Sequence, residues 1–182
     1  MIKLAILISL SLFLGVINGR ENQINFKIEQ IEKGYSYSCD FQSTLSTDSV
    51  LAIIFKFDHL VKYSSKMSKI EILSEEKNSY LVSFFLKYLI YSSKSVYRRT
   101  LLEDKDMVVI EMIKFHHNSN VFPKVLNIRI EYRVLPVMDS VHIFYKQKCV
   151  FNKTVNWFYL KILEGKLNES MRELQSYINS RS

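Results

Sequence analysis

Histidine, cysteine and one mid-strand glutamate are the residues of this 182-residue sequence with the plainest capacity for chemistry. The histidines are His59, His116, His117 and His142. His116 and His117 are adjacent in a strand-like segment, so their rings point to opposite faces and cannot readily share a metal. No His-x-x-x-His or Glu-x-x-His pair falls on a helical pattern. Single surface histidines account for all four. Cys39 and Cys149 each lack a second Cys or His at ligand spacing, and no base is implied beside either thiol. They are left as one disulfide in an oxidising compartment or as two buried free thiols. The serines lie outside any Gly-x-Ser-x-Gly setting. Glu111 sits among Val109, Ile110, Met112 and Ile113, and inside a cavity it would be a general acid or base with a raised pKa. The parity Val108, Ile110, Met112 is more purely apolar and should face inward. Glu111 then points outward, beside Arg98 or Arg129. No catalytic residue, metal site or cofactor is assigned.

The elements that would position these residues follow from period and punctuation. Tyr35, Tyr37, Cys39 and Phe41 alternate with Ser36, Ser38, Asp40 and Gln42, a half-buried strand. Ser46-Thr47-Asp48 offers helix-capping side chains ahead of Val50, Leu51, Ile53, Ile54 and Phe57 at helical spacing. A second short helix is predicted over Asp58 to Tyr63. Six further strands are predicted at 68–75, 80–90, 94–102, 107–116, 126–134 and 141–151, separated by polar turns as a meander requires. From Val155 to Ser180, Leu160, Leu163, Leu167, Met171, Leu174 and Ile178 recur at steps of three and four. That is one amphipathic helix of roughly 39 Å. The whole is an α+β domain with a curved antiparallel sheet of about seven strands, two short helices after the first strand and a long closing helix.

Composition narrows the partners. Hydrophobic residues make up 48%, with 12 Phe and 11 Tyr but only 4 Gly and 2 Pro. Regular elements are favoured, and Gly-rich phosphate loops are not. The net charge of +7 is scattered: Lys62, Lys66 and Lys69 lie near Glu71, Glu75 and Glu76, and Arg129 and Arg133 flank Glu131. The densest basic spot is Arg98-Arg99. Nucleic-acid binding, which needs a basic stripe or arm, is not expected. Transient contact with an anionic membrane surface is compatible with the excess. Met1-Ile2-Lys3 followed by the apolar run Leu4 to Ile17 reads as a signal peptide over residues 1–19, short of the ~20 apolar residues that span a bilayer, with an uncleaved membrane anchor as the alternative. The expectation is a secreted or periplasmic monomer whose mature domain is 20–182. Asn152-Lys153-Thr154 and Asn168-Glu169-Ser170 match the glycosylation pattern and read as chance.

The order of elements resembles the helix-grip fold of the START/SRPBCC superfamily, which includes polyketide-cyclase-like proteins. Three stretches carry the resemblance: the strand 34–44 leading into the helices and strand of Ser46 to Leu73, the meander, and the ending Val155 to Ile178. The family's usual Pro-x-Trp near the second helix is absent, and Lys62-Tyr63-Ser64 stands there. The resemblance implies a cavity between sheet and closing helix that holds a hydrophobic small molecule or lipid. On this layout the inward set is Phe84, Leu86, Tyr88, Ile110, Met112, Ile128, Ile130, Tyr132 and Tyr145 from the sheet, with Trp157, Leu163 and Leu167 from the helix. A hydroxyl of Tyr88, Tyr132 or Tyr145 would orient a polar head. The resemblance also puts Cys39 and Cys149 on adjoining strands, which favours the disulfide. A cyclase- or hydrolase-like enzyme, or an interaction module with a filled core, are the alternatives on the same fold.

Overall fold

Alternation in the first apolar segment forms strand β2 (Gly34–Ser43), with Tyr35, Tyr37, Cys39 and Phe41 all buried. The computed structural model describes residues 24–64, 67–88, 91–118 and 123–181, including all their side chains but those of Tyr88 and Tyr91. The leader, its cut after Gly19 and the strand end at Ile90 lie outside the described residues. One strand was not anticipated. Phe26 and Ile28 alternate with Lys27 and Glu29 in β1 (Asn25–Ile31), which pairs antiparallel with β2. The sheet therefore has eight strands, not about seven.

The remaining strands are β3 (Lys69–Glu76), β4 (Ser79–Tyr88), β5 (Tyr91–Leu102), β6 (Met107–His117), β7 (Val125–Val137) and β8 (Ser140–Phe151). Their order is β1-β2-β8-β7-β6-β5-β4-β3, antiparallel throughout. Helices α1 (Thr47–Phe55) and α2 (Phe57–Tyr63) carry the chain from β2 to the opposite edge at β3. Ser46 starts α1 as expected, its Oγ accepting from the Ser49 backbone N–H at 3.3 Å. Helix α3 (Trp157–Asn179) starts at Asn156, whose Oδ1 accepts from the Tyr159 N–H at 2.9 Å.

The concave face of the sheet receives two covers. α1 packs on β5, β6 and β7, while α3 packs on β1, β2 and α2. Leu160, Met171, Leu174 and Ile178 of α3 are buried, and Tyr37 donates its hydroxyl to Asn168 Oδ1 at 2.8 Å. Asn168 of the second glycosylation pattern is thus a packing residue.

β2 and β8 are neighbours, so Cys39 and Cys149 do lie on adjoining strands. The register corrects the expected disulfide. Cys39 faces Tyr145 and Cys149 faces Tyr35, an offset of four residues, or about 13 Å along the strands. No bridge can close over that distance, and both thiols are free and buried. Gly34 holds the β2 end of this pairing, because a Cβ there would fall 1.9 Å from the Cys149 carbonyl oxygen.

Two outcomes follow from this register. The denatured mass of the protein will be unchanged by reductant, and both thiols will react with a maleimide only after unfolding. A two-dalton difference on reduction would overturn the register. Gly34→Ala will lower stability by about 3 kcal/mol in urea titrations, since the new methyl meets backbone.

Candidate functional site

The inner face of the sheet is closed at one side and partly open at the other. Around β2 and β8, Tyr37, Phe41, Val108, Val134 and Ile143 are fully buried. Tyr132 meets Tyr145 edge to face with ring centroids 4.8 Å apart. The Tyr145 hydroxyl donates to Gln147 Oε1, and Gln147 Nε2 donates to the Tyr35 hydroxyl at 2.6 Å. Tyr145, expected to orient a polar head, therefore spends its hydroxyl inside the core.

Across β4 to β7 the inward side chains keep some exposure. Phe84, Leu86, Tyr97, Met112, Ile128 and Ile130 are half-buried, as are Leu163 and Leu167 of α3. The backbone gives a reason. Pairing of β6 with β7 runs from Met107–Arg133 to Glu111–Arg129 and stops there, although β6 continues to His117 and β7 begins at Val125. The two strands part, with Met112 and Ile128 just beyond the last pair.

Of the twelve residues expected to line the interior, Ile110, Tyr132 and Tyr145 are buried in the closed part. Phe84, Leu86, Met112, Ile128 and Ile130 belong to the open part, while Leu163 and Leu167 are half-buried on α3, which packs on β1, β2 and α2. The side chain of Tyr88 lies outside the described residues. Trp157 is a correction. It stands in the first turn of α3, 68% exposed, with the Lys161 ammonium 5.7 Å from its ring. The apolar stripe makes its buried contacts from Leu160 onward, which leaves Trp157 beyond them.

Sequence reasoning missed Phe115 and His117. β6 carries one extra residue, Ile113, where its pairing with β5 shifts between Lys114–Val96 and Met112–Tyr97. Beyond this bulge the parity reverses, so Phe115 faces Ser95 and His117 faces Ser93 in register with Phe84 and Leu86. Of the four histidines only His116 is fully a surface residue. His59 Nδ1 lies 2.8 Å from the Tyr177 hydroxyl, His142 Nε2 lies 3.0 Å from Asp40 Oδ2, and the ring of His117 is tilted against Phe115. Glu111 points outward as expected and pairs with Arg129, which also donates to Glu131 at 2.9 Å.

Arg99 was read only as part of a basic spot, yet strand parity turns it inward while Arg98 faces solvent. It is 3% exposed. Its Nη2 donates to the Ile54 carbonyl and to the Tyr63 hydroxyl at 3.3 Å, and its guanidinium lies 5.9 Å from the centre of the Tyr80 ring. Tyr63 donates to the same Ile54 carbonyl at 3.3 Å, and Tyr80 donates to the Phe55 carbonyl at 2.6 Å. Arg99 and these two tyrosines thus cap the buried end of α1. A readable signal existed: Tyr97 and Leu101 share the parity of Arg99.

The inner arginine and the inner histidine do not converge. Arg99 and the position facing His117, Ser93, are six residues apart along β5, roughly 20 Å. The arrangement can desolvate an apolar molecule and hold a charge, and among the described residues it keeps Arg99 and His117 apart.

No protein-family model matches the chain, and no curated protein matches it in sequence. Solved structures do match in shape. A STAR-related lipid transfer protein from Xanthomonas axonopodis superposes with a TM-score of 0.65 at 10% identity, covering 85% of this chain and 93% of that one. A START superfamily protein from Mycobacterium smegmatis gives 0.62 at 10% identity, covering 81% and 99%. The Zhui aromatase/cyclase from a Streptomyces species gives 0.62 at 11% identity, covering 87% and 93%. The chain shares the helix-grip fold of these structures.

Burial also sets an alkaline limit. It pushes the Cys39 and Cys149 thiols up to about 12 from an ordinary 9, and the Tyr80 phenol up to about 12 from 10. Tyr35, Tyr132 and Tyr145 are raised well above 10 by the same cause. Each group holds its proton more tightly when folded, so its contribution is complete below the unfolded pKa and is lost as pH rises towards the folded one. The urea midpoint will fall progressively above pH 9, and tyrosinate absorbance will rise together with unfolding above pH 10. Ionisation of all 11 tyrosines near pH 10 in a still-folded chain would contradict this burial.

Proposed function

We propose that this protein binds or carries a hydrophobic small molecule or lipid on the inner face of its sheet, outside the cytoplasm. The carrying observation is the set of inward apolar side chains that remain half-exposed where β6 and β7 part. Apolar surface of this kind is covered at a gain of roughly 25 cal/mol per Å2, enough for a ligand of a few hundred Å2 to bind without any catalytic group. Met112 and Ile128 flank the opening between the two strands, Phe84 and Leu86 lie further along the inner face on β4, and Leu163 and Leu167 of α3 lie on the side towards β1 and β2. Likeness to a lipid transfer protein agrees with this reading, but an aromatase/cyclase shares the same fold, so the choice rests on the site. The separation of Arg99 from His117 favours a binder over a cyclase-like enzyme. Export is supported by the charged start and the apolar run of residues 4–17.

Native mass spectrometry of protein recovered from an exporting host will show an adduct of lipid size that is lost on denaturation, and a polypeptide mass short of the leader. The neutral probe N-phenyl-1-naphthylamine will be taken up with one-to-one stoichiometry. Ile130→Trp, which fills the space, will weaken uptake about fivefold or more with an unfolding free energy kept within about 1.5 kcal/mol of the wild type. Absence of both adduct and probe uptake in the folded protein would leave a filled core and an interaction role.

A further inference from the structure

Resting on the binding role proposed above, the structure assigns Arg99 as the recognition site for the anionic head of the ligand, a long apolar chain ending in a single carboxylate. Three observations carry this. Arg99 is 97% buried by the exposure given above, and among the described residues no carboxylate forms an ion pair with it. An arginine is ionised at any accessible pH, so a full positive charge is held inside without a counter-charge. Its neighbours answer only part of that demand. A carbonyl and a phenol accept from Nη2, Tyr80 offers its ring face, and Nε is buried with no acceptor at all.

Capping α1 explains one edge of the guanidinium and not the other. The Nε edge is the one that, with a terminal nitrogen, takes a carboxylate by two parallel hydrogen bonds. The shell of one cation and three tyrosines, Tyr63, Tyr80 and Tyr132, balances one negative charge and not two. That composition favours a carboxylate over a phosphate monoester.

An outer groove comes within one side chain of the site. A groove of about 560 Å3 runs between α2 and α3, with Lys62 and Arg172 among its lining residues beside Glu169 and Glu173. Tyr63 lines this groove, and its hydroxyl is also the group that meets Arg99. An incoming oxyanion takes the place of that hydroxyl, and the chain behind it lies along the half-exposed inner wall near Tyr97 and Phe84, whose rings meet edge to face at 5.7 Å.

The test compares cis-parinaric acid with its methyl ester on the full chain, read by probe fluorescence at pH 8. The acid will bind the wild-type protein about tenfold tighter than the ester or more, the difference expected for a buried charge-assisted pair. Arg99→Gln will abolish that preference, so that acid and ester bind alike, and Arg99→Lys will restore part of it. Circular dichroism will verify that each variant is folded. Equal binding of acid and ester by the wild type sinks the carboxylate site and leaves the chamber standing. Binding of neither sinks both. An unfolded Arg99→Gln leaves the wild-type comparison as the deciding measurement, and dodecyl phosphate binding tighter than dodecanoate would overturn the single-charge assignment.

Discussion

The end of α1 lies inside the protein, and its carbonyl groups must find donors there. Ile54 receives them from Arg99 and Tyr63, and Phe55 from Tyr80. A buried helix end without such partners would cost several hydrogen bonds' worth of desolvation. The requirement explains why a guanidinium sits where an apolar residue would otherwise pack. It also fixes the geometry of everything nearby. Arg99 belongs to β5, Tyr80 to β4 and Tyr63 to α2, so one polar cluster pins both short helices to the strands beside the β3 edge.

With α1 and α2 held there, the concave face divides. The side next to β2 and β8 is sealed by α3, whose Tyr37–Asn168 hydrogen bond and buried stripe hold it down. The side reaching from β4 to the parted ends of β6 and β7 is left with apolar walls and partial exposure. A second satisfied network, Tyr145–Gln147–Tyr35, sits wholly within the sealed side. Polar groups in that network have their partners, whereas Arg99 retains an unmatched N–H. Buried polarity thus serves packing in one place and leaves unused capacity in the other.

Shared architecture with a lipid transfer protein and with an aromatase/cyclase at about a tenth identity shows how little the fold constrains chemistry. Such a fold supplies a curved wall and a closing helix. What the wall does depends on which side chains reach it: apolar groups and one uncompensated cation here, with the second ionisable group, His117, far along the strand.

The sequence by itself determined the elements, because their signals are local. Period two wrote β2 and β8, Ser46 wrote the start of α1, and the leucines of 160–174 wrote α3. Even β1 was present in the alternation of Phe26 and Ile28 with Lys27 and Glu29. Which half of each strand faces inward was legible as far as the first irregularity. Ile113 then shifted the parity of β6 and brought Phe115 and His117 inside, and no local pattern announces a bulge. The offset of Cys39 from Cys149 likewise belongs to the pairing of two distant strands, since the side-chain period is the same in every register. Tertiary structure alone decided the role of Arg99. Its parity was readable beside Tyr97 and Leu101, but the need for a donor arises only where the end of α1, forty-five residues earlier in the chain, is buried against it.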